Sequence, residues 1–323
     1  MLTYDDVLIE PGFSEINSRK DVSITSFGLD VPVISANMDS VTEDAMATEM
    51  RKAGGIGAIH RFMDINRNLS IYRNSPPDTY CSVGLGDYEM QRFKALVGFG
   101  ANNFILDVAH GAQQQVVDQA KMYLSYKKVN LIVGNFASAV GIEEFMRRVF
   151  PFQIQAYKVG IGPGAACTTR IKTGVGVPQL SAIQECSRFV PVIADGGIKT
   201  SGDIAKALAA GASAVMVGRM FAGTPASSGR SVRSADKWVK VYRGSASQSS
   251  YNDQGKIADW ITDEGDSGIV PVNGTVENIM KDIAGGLRSA LTYVGAKDIV
   301  EFRDKAVFIK VTPNAIKENG SRL

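Results

Sequence analysis

The chain has 323 residues, 45% hydrophobic and 21% charged, with a formal net charge of +2 and a mean hydropathy of −0.02. That length predicts either two domains or one (β/α) barrel with a large core. The near-neutral charge leaves no basic footprint for nucleic acid, no apolar run reaches membrane-spanning length, and the start, Met1-Leu2-Thr3-Tyr4-Asp5-Asp6, lacks the pattern of a signal peptide. Three widely spaced cysteines, Cys81, Cys167 and Cys186, argue against a disulfide framework or zinc site and for a reducing, cytoplasmic compartment. His60 and His110 alone do not make a multi-histidine metal centre.

Residues 1–30 read as an N-terminal arm. Eight strand-like runs follow, at 31–35, 55–59, 80–83, 104–106, 131–133, 156–159, 191–194 and 214–217, with helical stretches between them. Mostly apolar strands alternating with helices indicate a parallel sheet covered on its outside. Glycine and polar residues cluster after nearly every strand, where barrel enzymes build their sites, so a single-domain α/β TIM (β/α)8 barrel is preferred to an open doubly wound sheet. Thr42 is expected to begin a helix over 43–52 ending at Gly54-Gly55. Ser201 with Asp203 is expected to cap a helix with Ile204, Ala207 and Leu208 on its apolar face, stopped by Gly211. The polar stretch between Gly223 and Val270 reads as a mobile flap of about residues 224–270; Tyr242, Trp260 and Ile261 within it favour a flap that docks. A last helix over 276–291 closes the barrel.

The run GIGPGAACTTR, residues 160–170, leaves the sixth strand. Three glycines and a proline let backbone approach a ligand closely, and Cys167 sits among small residues that leave its sulfur accessible. An accessible thiol on such a loop is a candidate nucleophile, although a lone cysteine is more often inert. The spacing is not the G-x-G-x-x-G of a dinucleotide fold. Asp195-Gly196-Gly197 after the seventh strand and Gly218-Arg219 after the eighth occupy the phosphate position of barrels. Their amides and a following helix N-terminus would favour a phosphate, Arg219 would add charge, and Asp195 would accept hydrogen bonds from a ribose diol. Either motif alone is as readily a simple turn and helix cap; both together point to a nucleoside monophosphate.

The cysteine loop, Asp195-Gly196-Gly197, Asp107 and the run GGLRSALTYVGA at 285–296 together resemble the IMP dehydrogenase/GMP reductase family over nearly the whole chain. The resemblance implies a TIM barrel in which Cys167 attacks C2 of a purine nucleotide and a nicotinamide cofactor gives or takes hydride. It makes Thr169 and Glu264 a proton relay. It puts Asp195, Gly196, Gly197, Gly218, Arg219, Tyr242, Gly244, Ser245, Ala246 and Met38 against the nucleotide. Asp107, Val108, Ala109 and Arg61 fall by the cofactor, while Ser289, Thr292, Ser18 and Arg19 match contacts made by a neighbouring subunit of a homotetramer. The carbonyls of Gly162, Gly164, Cys167 and Arg170 match a monovalent-cation (K+) site.

Within the family the chain looks most like the GMP reductases, which use NADPH. No regulatory CBS pair is inserted. The runs Ala36-Asn37-Met38-Asp39 and KTGVGVPQLS at 172–181 are reductase-like, as is the short span of 21 residues, 243–263, between Tyr242 and Glu264. Past Gly244 that span has no arginine, so the Arg-Tyr pair with which dehydrogenases activate water is missing. The alternatives are an IMP dehydrogenase without CBS modules, using NAD, and a nucleotide-binding pseudoenzyme, which would have no need of Cys167, Thr169 and Glu264 together. Four positions depart from the family: Ala165 stands for a phosphate-binding serine, Ser245 for a methionine by the base, Arg219 for a glycine, and Ile261 for an arginine near base and cofactor.

Overall fold

The computed structural model describes residues 1–234, 236–253 and 262–316. Eight parallel strands close into a barrel: β1 Val33–Ser35, β2 Ile56–Ile59, β3 Tyr80–Val83, β4 Asn103–Asp107, β5 Asn130–Phe136, β6 Ala156–Val159, β7 Val192–Asp195 and β8 Ala214–Val217. Each pairs with its neighbour in sequence, and β1 closes on β8 through Ile34 opposite Met216. All eight expected runs are strands, and the units follow one another from Val33 to Val217 without an inserted module.

Strand residues alternate between the barrel interior and the surrounding helices. One apolar cluster, including Ile34, Ala58, Ile105, Ile132, Ala156, Ile193 and Ala214, fills the interior; Leu29 packs with it. A larger cluster lies between strands and helices, with Val33, Cys81, Phe104, Leu106, Leu131, Val133 and Val192 facing Met46, Phe93, Ile183 and Leu208. Counting two residues onward from Ile105, Ala156 and Ile193 reaches Asp107, Lys158 and Asp195. The period-two rule therefore sets three charged side chains in one layer at the carboxyl end of the barrel.

Two helix starts differ from expectation. The helix Ser201–Ala209 is capped by Thr200, whose hydroxyl accepts from Asp203 N while Asp203 bonds back to Thr200 N; Ser201 is its first turn. The helix Asp44–Lys52 begins one residue later than expected, because Thr42 Oγ1 is drawn away to Ala36 O at 2.7 Å. The closing helix runs Val276–Val294, three residues further than its pattern suggested.

The polar excursion contains a three-stranded antiparallel sheet, Ser231–Ser234, Lys237–Arg243 and Ser267–Pro271, and a short helix Gln248–Asp253. Trp260 and Ile261 lie outside the described residues. The N-terminal strand Val7–Ile9 pairs antiparallel with Phe308–Lys310, joining the two ends of the chain. No helix among the described residues is long and apolar enough to cross a membrane.

Candidate active site

A cavity of about 760 Å³ opens at the carboxyl end of the barrel. It is lined by the loops after β1, β2, β4, β5, β6 and β7 and by segments of the excursion. This is the end at which strand-to-helix loops converge, so residues far apart in sequence meet there.

Cys167 is half-buried in this cavity, whereas Cys81 and Cys186 are fully buried. Its Sγ lies 3.1 Å from Thr169 Oγ1, within proton-transfer reach. Glu264 lines the same cavity, and its backbone is stitched to the cysteine loop. Thr168 N donates to Glu264 O at 2.9 Å, Asp266 N to Ala166 O at 2.8 Å, and Glu264 N to Ala246 O at 3.0 Å. The thiol, the hydroxyl and the carboxylate are thus carried on two segments that backbone hydrogen bonds hold side by side.

Asp195, Gly196, Tyr242, Gly244, Ser245, Ala246 and Met38 also line the cavity. Gly197 and Gly218 are not among the lining residues, although Gly197 follows Gly196 and Gly218 neighbours Met38 and Tyr242. A Cβ on Gly218 would meet Met38 Sδ at 3.1 Å and Tyr242 Oη at 3.3 Å, so a side chain there would press on both. Gly196 and Gly197 adopt φ of +91° and +78°, which glycine alone adopts freely. Burial, reinforced by the charge of Asp195, pushes the Tyr242 phenol up to about 12, so it remains a neutral donor. Arg219 is exposed and makes no ion pair among the described residues. The helix it opens, Arg219–Ala222, has only four residues, so its dipole adds little there. Arg243 donates to Asp39 Oδ2 from Nε at 3.0 Å and from Nη2 at 2.6 Å, tying the Tyr242 strand to the loop of Met38.

Asp107, Val108, Ala109 and Arg61 line the cavity as well. Arg61 Nη2 donates to Asp107 O at 3.4 Å and its guanidinium lies 5.0 Å from the Phe62 ring, but its buried Nε has no partner. An unpartnered guanidinium donor beside a carboxylate fits a polar, anionic ligand group such as a nicotinamide dinucleotide carries.

Lys158 is the residue that sequence reading missed. It is 3% exposed, with Nζ 2.8 Å from Asp195 Oδ2 and 3.1 Å from Asp107 Oδ1. Burial alone would lower the ammonium pKa; the two carboxylates outweigh it and hold it well above its ordinary value. Burial would likewise raise Asp107, yet the charges of Lys158 and Arg61 and a hydrogen bond from Asn37 hold it below the usual carboxylate range. Asn135 Nδ2 adds a bond to Asp195 Oδ2 at 2.9 Å, leaving Oδ1 of Asp195 for other donors. Gly134 makes this packing possible, since a Cβ there would overlap Lys158 Cβ. The signal in the sequence was a lone lysine in the otherwise uncharged strand Ala-Tyr-Lys-Val.

Other expected site residues lie outside the cavity. Ser289 and Thr292 turn back onto their own helix, bonding Gly285 O and Arg288 O at 2.9 and 2.8 Å. Ser18 caps the short helix Arg19–Asp21, which packs against that same helix. Among the carbonyls expected around a cation, Gly164 O accepts from Cys167 N and Arg170 O from Gly174 N, each keeping a second lone pair. The Arg170 side chain braces this loop, its Nε donating to Ile161 O at 3.2 Å and its Nη2 to Val177 O. Gly162 and Gly164 line the cavity; Arg170 does not. Ile261 lies outside the described residues.

Residues 1–322 match the IMP dehydrogenase / GMP reductase domain. The chain belongs to that family. It is accordingly related to oxidoreductases of purine metabolism that use a nicotinamide cofactor. A GMP reductase of Shigella boydii is 36% identical over 332 residues, covering 96% of this chain and 94% of the relative. An inosine-5'-monophosphate dehydrogenase of Cryptosporidium parvum is 34% identical over 379 residues, covering 98% and 94%. Among solved structures, GMP reductase from Trypanosoma brucei in complex with guanosine 5'-monophosphate superposes with a TM-score of 0.92 at 27% identity, covering 99% of this chain and 97% of that one. Inosine 5' monophosphate dehydrogenase from Legionella pneumophila gives a TM-score of 0.87 at 41% identity, covering 97% and 99%.

Proposed function

We propose that the chain is a GMP reductase, converting GMP to IMP and ammonia with NADPH through a covalent adduct on Cys167. The observation that carries this reading is the Cys167 Sγ to Thr169 Oγ1 contact of 3.1 Å in a cavity shared with Glu264. The absence of arginine from residue 245 to 263 supports loss of ammonia rather than attack by water.

Cys167 sulfur adds to C2 of the purine, and the C2–N bond to the exocyclic amine breaks. Amide anion is a poor leaving group, so the nitrogen must be protonated as it departs. The thiol proton of Cys167 passes through the Thr169 hydroxyl, oriented by Glu264, to that nitrogen; ammonia leaves and a thioimidate remains. Bound NADPH supplies the hydride that C2 then receives. Cys167 departs as thiolate, releasing IMP, and regains its proton from solvent. Splitting one displacement into two steps lowers each barrier.

In this reading Asp195 accepts from the ribose through the oxygen that Lys158 and Asn135 leave open. Gly196, Gly197, Gly218, Arg219 and Tyr242 hold the phosphate, with Gly244, Ser245, Ala246 and Met38 around the base. Asp107, Val108, Ala109 and Arg61 hold the cofactor. Ser289, Thr292, Ser18 and Arg19 complete that site for a neighbouring copy in a homotetramer, and the excursion over residues 224–270 acts as the flap. A K+ ion would use the second lone pairs of the cysteine-loop carbonyls, so turnover with and without K+ tests that assignment.

The second reading, an IMP dehydrogenase without CBS modules, is favoured by the 41% identity to the Legionella dehydrogenase against 27% to the trypanosomal reductase. One absorbance assay separates the two. GMP with NADPH should consume reduced cofactor and release ammonia. Production of reduced cofactor from IMP and NAD alone would give the second reading. Binding of GMP with neither reaction would make the chain a nucleotide-binding pseudoenzyme.

A further inference from the structure

The loop after β3 packs against Arg61. A Cβ on Gly84 would stand 3.0 Å from both Cζ and Nη1 of Arg61, so the bare Gly84 backbone lies directly against the guanidinium. Gly84 is held by both of its backbone groups. Its N donates to Glu89 Oε2 at 2.8 Å, and its O accepts from Tyr123 Oη at 2.9 Å. Glu89 is 7% exposed and Tyr123 fully buried, so water competes little for either bond.

The turn that carries Arg61 is held from the same helix as Gly84. Arg92, 1% exposed on the helix Asp87–Gly98, donates from Nη2 to Met63 O at 2.7 Å and from Nη1 to Asn68 Oδ1 at 3.1 Å. Met63 N in turn donates to Arg61 O at 2.9 Å, which closes a tight turn over residues 61–63. Arg92 Nε lies 3.3 Å from the Glu89 carboxylate, one helical turn away. One buried ion pair therefore holds both the turn that carries Arg61 and the glycine that Arg61 packs against. The guanidinium has little else to fix it: its bond to Asp107 O is 3.4 Å long, and its buried Nε has no partner among the described residues. Arg61 lines the cavity, whereas Gly84, Glu89, Arg92 and Tyr123 do not.

We propose that Glu89, Arg92 and Tyr123 are positioning residues for Arg61: they fix Gly84 and the 61–63 turn, and through them the place of the guanidinium in the cavity. None of the three touches a ligand. That Arg61 receives an anionic group of the dinucleotide rests on the proposed function; that its guanidinium is placed by Gly84 and the turn does not.

Two measurements test this. Phenylglyoxal modifies accessible guanidinium groups, and peptide mass spectrometry gives its rate at Arg61 with no nucleotide present. Steady-state kinetics gives the split between KM for NADPH and kcat. Gly84→Ala sets a methyl 3.0 Å from the tip of a flexible side chain, so the guanidinium yields and the fold stays. Tyr123→Phe keeps the ring and releases Gly84 O. Each should change the Arg61 modification rate by about threefold to tenfold, the worth of one buried hydrogen bond, and raise KM for NADPH by a similar factor. KM for GMP and kcat at saturation should stay within about twofold, because only uniform binding at Arg61 is disturbed. Glu89→Gln, which also withdraws the counter-charge from Arg92, should move both readouts further. Wild-type modification rates in folded Gly84→Ala and Tyr123→Phe proteins would overturn the proposal, whatever becomes of Glu89→Gln. An equal rise in KM for GMP would overturn it too, since that is general loosening. If the unmodified protein turns over neither nucleotide pair, the proposed function fails while the modification rates still decide this one.

Discussion

Lys158 and Asp195 meet at 2.8 Å in the charged layer that caps the barrel interior, and the same ammonium reaches Asp107 at 3.1 Å. One buried cation therefore bridges two carboxylates, on β4 and β7, from its own place on β6.

Removing that cation should cost stability in a pH-dependent way. Asp107 is held below its ordinary value of 3.8, so its stabilising contribution is complete above that pH and is lost as pH falls through the lower folded value. Lys158 is held above its ordinary 10.5, so its contribution is complete below that pH and is lost only in strong alkali. Lys158→Met at neutral pH leaves two partly buried carboxylates facing each other, a change that costs roughly 3–5 kcal/mol when a buried pair is broken. Urea denaturation of both proteins from pH 7 downward should show the deficit shrinking below pH ~4, where the freed carboxylates protonate. A deficit that stays constant with pH would mean lost packing instead.

Cys167→Ala should abolish turnover while leaving GMP binding within about threefold, because the thiol contributes chemistry and little contact area. Calorimetric binding and the cofactor absorbance assay together check this. Retained turnover would remove the covalent step from the mechanism.

The proton relay makes a sharper demand. Thr169→Val and Glu264→Gln should lower kcat with GMP by about 10²- to 10⁴-fold, the usual worth of a positioned acid. Both should slow the attack of Cys167 on a 2-chloro analogue of the nucleotide far less, since chloride leaves without a proton and the thiol can lose its own to solvent. Mass spectrometry of the adduct gives that second rate. Equal losses for amine and chloride would assign both residues to shaping the loop rather than to proton transfer.

Much of this architecture was legible in the chain because strand and helix periods differ and glycines mark strand ends. The eight strands were found for that reason; Cys167 and Gly218 follow two of them, and Asp195 ends a third. Two kinds of feature were not legible. The sheet of Lys237–Arg243 and its partners hid in a polar stretch because a sheet half-open to solvent needs few apolar residues, and its third strand, Ser267–Pro271, pairs with a strand that ends at residue 243. Lys158 was passed over because it is explained only by the carboxylates that approach it from two other strands. Thr200 was passed over for Ser201 because neighbouring hydroxyls are equivalent as letters and differ only in backbone angle.

Arg219 tests how this chain holds an anion where Ala165 offers no hydroxyl. It is exposed, follows Gly218, and has its charge near enough to the Tyr242 phenol to oppose the rise in that group's pKa. A charged hydrogen bond of this kind is worth about 1.5–3 kcal/mol, so Arg219→Ala should raise the GMP dissociation constant by roughly 10- to 100-fold. The loss should shrink with rising salt, because an exposed cation is screened within about 10 Å at 0.1 M. Guanosine, which carries no phosphate, should bind both proteins alike. Titrations of GMP and guanosine at two salt concentrations give all four comparisons. An equal loss for nucleoside and nucleotide would move Arg219 from the phosphate to the fold of the Gly218 turn.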